Sequence, residues 1–447
     1  MLHVQGGGLL IVKSFYIETY GCQMNVAESN ALEALLSETG WMRADRPEDA
    51  DAVIINTCSV RKSAENRIWG RLGDYKHIKE QKKQTLIVTG CMAQRLLGSM
   101  KKDAPQIDYV VPVNDKLKIP ELLRTEENRQ RKTETVPCSP VYEFTENYLH
   151  EGDYSSYVPI MNGCNNFCTY CIVPYVRGRE VSRCPEQILE EVSFLDFKGV
   201  KEITLLGQNV NSYDFNGMRF PDLLKEICIR CNNIRWVRFE SPHPKDFSEE
   251  LIDVIANEPK VAKHLHIPMQ SGSTRILQAM NRHYTREQYL NLIDRIREHV
   301  PGVTFAVDVM VGFPGETEDD FAMTVSAMDY CGYIEAYMYY WNMREGTKAC
   351  TMPGQIPVKE RQARLQRLID WQLKKCSQIK AGRTGTVQDV LVTGISRDSE
   401  HQMLGKNEHG EMIVFDTLSD EVSAGDFVRV RFESLNGNTF TGKQVNE

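Results

Sequence analysis

The chain has 447 residues, 41% of them hydrophobic, a formal net charge of −8 and a pI near 5.8. That length suits about three domains with sizeable cores, and the acidic balance excludes a polybasic nucleic-acid binder, so any RNA contact must come from local patches. Thirteen Cys in so long a chain do not make a disulfide-stapled scaffold. The longest early apolar run, Leu9 to Val12, is too short for a signal segment or a membrane span, so a cytoplasmic, non-membrane protein is expected.

In chain order, residues 11–19, 52–56 and 86–89 read as buried parallel strands, and 28–38 and 63–79 as helices. This βαβ alternation predicts an open parallel α/β domain over residues 13–128. Each strand runs into a cysteine, in Tyr20-Gly-Cys22-Gln-Met-Asn25, Asn56-Thr-Cys58-Ser-Val-Arg61 and Thr89-Gly-Cys91-Met-Ala-Gln-Arg95. Carboxyl ends of such strands line one crevice. The three thiols therefore either converge as ligands of an iron–sulfur cluster with one iron left open, or are unrelated core residues; the threefold placement favours the cluster. Thr125 to Pro140 is polar and without periodicity, as in a linker.

Residues 145–380 predict a partial (β/α) barrel of six units, with strands at 157–162, 202–206, 236–240, 264–269, 304–311 and 335–340 and helices such as 185–197 and 316–330. The loop after its first strand, Met161-Asn-Gly-Cys-Asn-Asn-Phe-Cys-Thr-Tyr-Cys171, carries Cys164, Cys168 and Cys171 as C-x-x-x-C-x-x-C. Three thiolates so close can hold three irons of a 4Fe-4S cluster and leave the fourth open to a ligand. A structural zinc ion would want a fourth ligand and usually a second knuckle. Active sites of such barrels lie at the carboxyl ends of the strands. That face gathers Gln208, Asn209, Ser241, His243, Gln270, Ser271, Phe313 to Glu316, Asn342 and Arg344 with the cysteine loop.

Residues 359–383 hold eight Lys or Arg against two acids, a phosphate-facing stripe or a solvated helix face. Short β-like runs at 385–391, 412–415, 427–432 and 439–443 predict a small antiparallel barrel over 383–446. From Arg383 onward six Lys or Arg face eleven Asp or Glu, so RNA would have to be met by one face or by stacking on Phe415, Phe432 or Phe440, unless these are core aromatics. Cys228 and Cys231 lack basic or ligand neighbours, and Cys138, Cys184, Cys331, Cys350 and Cys376 stand alone; all seven are expected to be inert.

The three strand-end motifs and Gly163-Cys-Asn-Asn-Phe-Cys-Thr-Tyr-Cys-Ile-Val-Pro-Tyr-Val-Arg-Gly-Arg-Glu180 resemble the methylthiotransferases of the radical S-adenosylmethionine (SAM) superfamily, from about Lys13 to Val445. Asn-Thr-Cys-Ser-Val-Arg and Gly-Cys-Gln-Met-Asn resemble most the branch acting on isopentenyladenosine in tRNA, rather than those acting on threonylcarbamoyladenosine or a ribosomal-protein aspartate. The resemblance implies a radical SAM core, in which a 4Fe-4S cluster on Cys164, Cys168 and Cys171 cleaves SAM to a 5′-deoxyadenosyl radical. It also implies an auxiliary 4Fe-4S cluster on Cys22, Cys58 and Cys91 that presents sulfur, and a C-terminal TRAM module, an OB-like RNA-binding barrel. One SAM would give the methyl group and another the radical, placing methylthio on carbon 2 of the base beside the anticodon.

Expected partners are a tRNA anticodon stem-loop bearing isopentenyladenosine, a low-potential donor such as flavodoxin or ferredoxin, and a sulfur donor; the protein is expected to be a monomer. For SAM itself, Phe167, Tyr170 and the turn from Val311 to Gly315 with Phe313 could stack on adenine, while Gln208, Ser241 and Gln270 could meet the carboxylate and ribose. Arg177, Arg179 and Arg183 could clamp a carboxylate or phosphate, or pair with Glu180 or Glu186. The reading from another class is a non-catalytic RNA-binding iron–sulfur protein.

Overall fold

The structure is a computed structural model that describes residues 13–59, 62–125, 134–135, 142–144, 149–150, 152–397, 399, 401–419 and 421–446. The chain divides into two compact units. The first comprises the described residues up to Leu149 with Asn162–Asn165 and Ile172–Val181; the second comprises His150–Met161, Asn166–Cys171 and the described residues from Ser182 onward.

Six strands build the first unit: β1 (Ser14–Thr19), β2 (Met42–Arg43), β3 (Ala52–Thr57), β4 (Thr85–Gly90), β5 (Tyr109–Val110) and β6 (Glu134–Thr135). They stand in the order β2-β1-β3-β4-β5-β6, every pair parallel. β3 and β4 are buried along their whole length, the pattern of strands covered on both faces. Val53, Ile55, Leu86 and Val88 enter one core with Ile68, Leu72 and Tyr75, while Ala52, Ile54 and Ile87 enter the other with Leu32 and Leu36. The alternation follows from the two-residue period of a strand. Helices α1 (Gln23–Glu38) and α2 (Lys62–Gln81) cover the two faces, and α3 (Cys91–Arg95), α4 (Met100–Asp103) and α5 (Ile119–Thr125) complete the unit.

The stretch expected to be a plain linker begins with the last residue of α5, Thr125, and supplies the edge strand β6, parallel to β5; its other residues, and Ile11 and Val12, lie outside the described residues. A short ribbon of β8 (Met161–Asn162) and β9 (Val181–Ser182) and the helix α6 (Val173–Val176) flank the cysteine loop, which follows β7 (Ser155–Pro159).

In the second unit, β7, β10 (Glu202–Leu206) and β13 (Trp236–Phe239) form one parallel sheet, and β14 (His264–His266), β15 (Thr304–Val311) and β16 (Glu335–Tyr340) another. An isolated bridge from Val237 of β13 to Val261, just before β14, links the two three-stranded sheets of the predicted six-unit partial barrel. Helices α7 (Pro185–Phe197), α8 (Phe220–Arg230), α9 (Glu249–Asn257), α10 (Thr274–Ala279), α11 (Arg286–His299) and α12 (Glu318–Cys331) lie between the strands in sequence, with a small hairpin of β11 (Asp214–Phe215) and β12 (Met218–Arg219). Thr285 and Thr317 open α11 and α12 with capping boxes, fixing where those helices start.

After α13 (Val358–Ala381), the strands β17 (Val387–Ile395), β18 (Gln402–Asn407), β19 (Met412–Asp416), β20 (Phe427–Asn436) and β21 (Thr439–Gln444) close a barrel in the order β17-β18-β19-β21-β20. Two expectations are corrected here. The barrel is not wholly antiparallel, since β19 and β21 run parallel, and β18 was not anticipated because Gln402-Met-Leu-Gly-Lys-Asn407 is polar and contains glycine. Gly405 is required there: a Cβ would stand 2.4 Å from a Val390 methyl.

The basic run on α13 is not a phosphate stripe. Arg364 pairs with Glu316, Glu318 and Glu360, Arg367 with Glu318, and Lys375 with Asp329, while Arg361 is buried against Trp341. Phe415, Phe432 and Phe440 are wholly buried and form the core of the C-terminal barrel, so none offers a stacking face. Among the described residues no helix is long and apolar enough to cross a membrane.

Candidate functional site

The N-terminal thiols stand where the strand order reverses, between β1 and β3 and beside it at β4, the usual place for a ligand in an open α/β sheet. Cys22 is the N-cap residue of α1; it is exposed, while Cys58 and Cys91 are buried. Two glycines set the approach. A Cβ on Gly21 would lie 2.8 Å from the Cys58 Cβ, and one on Gly90 would lie 2.4 Å from the Thr57 carbonyl; both residues hold positive φ.

The polar residues of the motifs brace the three turns against one another. Asn25 Nδ2 donates to the Tyr20 and Thr57 carbonyls, each at 3.0 Å, and Asn56 Nδ2 donates to the Asn25 carbonyl at 2.9 Å and Ser29 Oγ at 3.0 Å. Arg95 binds Ser59 Oγ at 2.8 Å and Glu65 at 2.7 Å. Val60 and Arg61 lie outside the described residues.

Beneath these turns a buried polar cluster surrounds Glu28 of α1. Arg177 Nη1 reaches Glu28 at 2.9 Å and Asn162 Oδ1 at 3.0 Å, and its Nη2 reaches Asn25 Oδ1 at 3.2 Å. Lys116 lies 2.6 Å from Glu28, and the Tyr142 hydroxyl donates to Glu28 at 2.8 Å. Burial alone would raise the Glu28 carboxyl, but the two cations pull it down to about 2. Burial draws Lys116 down to about 8 against the attraction of Glu28. The Cys91 thiol is pushed up to about 11 by burial, with Arg177 opposing and Cys22 and Cys58 adding to the rise.

The chain passes from one unit to the other inside the second cysteine loop, so Cys164 belongs to the first unit and Cys168 and Cys171 to the second. Gly163 holds positive φ, and a Cβ there would meet the Arg179 carbonyl at 2.1 Å; Cys164 N donates to the Gly178 carbonyl at 3.2 Å. In the second unit Asn281 Nδ2 donates to the carbonyls of Asn166 and Phe167, each at 3.1 Å. Thr169 N donates to Met280 O at 3.0 Å, and Arg282 Nη1 lies 3.7 Å from Cys168 Sγ. Neither Asn281 nor Arg282 carries a motif that sequence reading could have used.

Three expected SAM contacts, Phe167, Ser241 and Gln270, hold left-handed backbone, with φ of 48°, 60° and 68°. For residues other than glycine this costs about 1–3 kcal/mol each, and such strain concentrates at functional sites. Ser241 follows the end of β13, and Gln270 bridges Asp308 and Met310 of β15, N to O at 2.8 Å and O from N at 2.8 Å. Gln208 is half-buried after β10. His243 is buried near the Tyr284 ring, 5.6 Å between centroids; its Nδ1 accepts from Lys245 N, and its Nε2 finds no protein partner.

Other expectations are corrected. Phe313 is wholly buried between Tyr170 and Trp341, so it supports Tyr170 and presents no face of its own. Arg183 is buried in an ion pair with Glu191, with its Nη1 also on the Pro159 carbonyl, and is not placed to hold a ligand. Arg177 pairs with Glu28 rather than Glu180 or Glu186, and only Arg179 of the three is exposed. Cys228 and Cys231 are buried, and burial pushes both thiols up to about 12. Cys331 and Cys376 are buried too, while Cys138 lies outside the described residues.

Residues 14–112 match the uncharacterized protein family UPF0004, residues 158–328 the radical SAM superfamily and residues 383–445 the TRAM domain. The protein named tRNA-2-methylthio-N(6)-dimethylallyladenosine synthase in Treponema denticola is 44% identical over 445 residues, covering 96% of this chain and 99% of its own. Proteins of the same name from Treponema pallidum (strain Nichols) and Bacteroides fragilis (strain YCH46) are 43% and 41% identical, each over 97% of this chain and over 99% and 96% of their own. Among solved structures, the radical SAM methyltransferase TsrM from Kitasatospora setae, with cobalamin and a [4Fe-4S] cluster bound, superposes with a TM-score of 0.57 at 15% identity over 76% of this chain and 74% of that one. The cobalamin-dependent radical enzyme OxsB gives 0.51 at 12% identity, over 81% and 56%. At these identities the likeness is one of fold.

Proposed function

We infer the activity from kinship, because the chain belongs to the family of tRNA-2-methylthio-N(6)-dimethylallyladenosine synthases. It is a radical SAM enzyme that uses an iron–sulfur cluster to place a methylthio group on carbon 2 of isopentenyladenosine beside the tRNA anticodon. The near full-length identity to relatives of that one name carries this reading. The acceptor base sits in a single-stranded loop, so it can be splayed into a site without opening a duplex.

The donor sets fit two clusters. Cys164, Cys168 and Cys171 would hold one, and Cys22, Cys58 and Cys91 an auxiliary one, each leaving an iron open. Among the described residues no three His, Cys, Asp or Glu side chains converge on a single metal ion, and cluster ligands bind separate irons. Bound, the clusters and SAM supply the radical and the transferable sulfur.

The protein's share is placement. Asn281 and Gly163 fix the turns of the SAM-cluster loop, and Arg282 offers a cation to the Cys168 thiolate. Tyr170, Phe167, Gln208, Ser241 and Gln270 are the residues to hold SAM. Asn25 and Asn56 lock the N-terminal thiols in register. A flavodoxin- or ferredoxin-like donor and a sulfur donor complete the reaction, and the enzyme acts as a cytoplasmic monomer.

Cluster-by-cluster substitution tests this assignment. Cys168→Ala is expected to abolish 5′-deoxyadenosine formation while the N-terminal site keeps its iron. Cys58→Ala is expected to spare SAM cleavage and end methylthio insertion. Cleavage persisting in the first variant, or an unchanged product yield in the second, would refute the respective ligand set; intact clusters with no SAM cleavage in the parent would favour a structural iron–sulfur protein.

A further inference from the structure

The buried cluster around Glu28 does not balance. Two cations, Arg177 and Lys116, share one carboxylate, and the remaining partners Tyr142, Asn25 and Asn162 are neutral. All six residues are buried. A buried charge without a counter-charge costs several kcal/mol, so an excess positive charge here calls for an anion nearby.

The thiols supply the direction in which that anion lies. Asn25, which accepts from Arg177, lies 3.6 Å from Cys22 Sγ through the same Oδ1 atom. Cys91 packs in one apolar cluster with Ile172 and Val176, the latter adjacent to Arg177 in sequence. The Arg177 charge acts on both Cys91 and Cys22. A 4Fe-4S core on three thiolates is an anion, and each electron it gains makes it more negative.

We propose that Arg177, clamped by Glu28, is the fixed counter-charge of the N-terminal cluster and sets its reduction potential. This rests on the reading of Cys22, Cys58 and Cys91 as cluster ligands. Arg177 acts as a positioning residue: it supplies charge from behind the ligands and touches no substrate. Glu28 trims the excess, so the two residues have opposite effects on the cluster. A guanidinium suits the task because it stays protonated when buried, whereas an ammonium such as that of Lys116 is drawn toward neutrality.

The test uses full-length protein carrying Cys164→Ala, Cys168→Ala and Cys171→Ala, so that only the N-terminal cluster assembles on anaerobic reconstitution. Iron and sulfide are counted, and the reduced cluster is followed by electron paramagnetic resonance during a dithionite titration. Arg177→Gln is expected to lower the ratio of reduced to oxidised cluster at fixed potential at least tenfold, about 59 mV for a one-electron couple. Glu28→Gln is expected to move the midpoint the other way, and Arg177→Lys, whose buried ammonium would be drawn toward neutrality, to fall between the parent and Arg177→Gln.

Full iron loading with unchanged midpoints would overturn the proposal while leaving the ligand reading intact. Shifts of the same sign in Arg177→Gln and Glu28→Gln would indicate mere loosening of the fold and overturn it as well. Should Arg177→Gln take up no iron, Glu28→Gln decides alone, an upward shift supporting the proposal and any other result overturning it. A parent that takes up no iron would refute the cysteine reading and the proposal together.

Discussion

The two ends of the central barrel are built on opposite terms. At the amino ends of its strands polar groups meet the C-terminal barrel in pairs: Glu202 receives Arg238 at 3.1 Å and Lys406 at 2.6 Å, Arg238 also donates to the Glu408 carbonyl at 2.8 Å, and Thr304 meets His409 at 3.0 Å. Trp236 packs edge-on against Phe427, 4.8 Å between centroids. The C-terminal barrel is thereby docked over that end. At the carboxyl ends the backbone is strained at Ser241 and Gln270, and buried Asn166 Oδ1 and His243 Nε2 have no protein partner. Paired groups hold the fold together at the first end; strain and unpartnered polar atoms, features that concentrate at functional sites, stand at the second.

Substitutions at the two ends should break or sharpen that contrast. Trp236→Ala removes the aromatic anchor of the docked barrel and should cost about 3–5 kcal/mol, read by denaturant unfolding. SAM cleavage by the folded fraction should be unchanged; a folded fraction that has itself lost cleavage would blur the distinction between the ends.

A second test is the pH dependence of stability. Burial would lower His266, but the hydrogen bonds it donates to the Asp308 and Glu240 carboxylates overcome it and raise the imidazole from 6.5 to about 10. A group raised on folding gives stability that is complete below pH 6.5 and lost as pH climbs toward 10. The melting temperature should therefore fall across that window more steeply in the parent than in His266→Gln, and parallel curves would contradict the assignment.

The smallest effect is expected at Ser241. Ser241→Gly relieves left-handed backbone and should stabilise by about 1 kcal/mol at most, since glycine also loosens the unfolded chain, while the KM for SAM rises. A destabilised variant with unchanged KM would mean that the strain serves structure rather than binding.

Much of this architecture is legible in the residues because period and punctuation agree. The strands at Glu202–Leu206, Thr304–Val311 and Glu335–Tyr340 and the helix Pro185–Phe197 fall where apolar pattern and Pro place them. Two of the three Cys-bearing turns follow strands with an unbroken apolar run, β3 and β4, while β1 mixes apolar and polar residues. The start of α1 is read five residues late, because its first turn carries no clear apolar period, and that of α12 two residues early.

What the sequence hides is partnership across distance. Nothing local tells that Arg177 finds Glu28, that Arg183 finds Glu191, or that the charges of α13 are absorbed by Glu316, Glu318 and Asp329. Charge runs read as surfaces until their partners are known. The same holds for Phe313, whose place in a glycine-rich turn suggests an open ring and whose neighbours enclose it.

The central claim is that this chain installs a methylthio group on isopentenyladenosine in tRNA, and mass spectrometry of the digested nucleosides tests it most directly. Iron–sulfur-reconstituted protein is incubated anaerobically with SAM, sulfide, dithionite and tRNA that carries the isopentenyl base. A methylthio mass gain confined to that nucleoside is the predicted result. SAM cleavage without any such gain would contradict the acceptor, and the gain on a different nucleoside would name the right one.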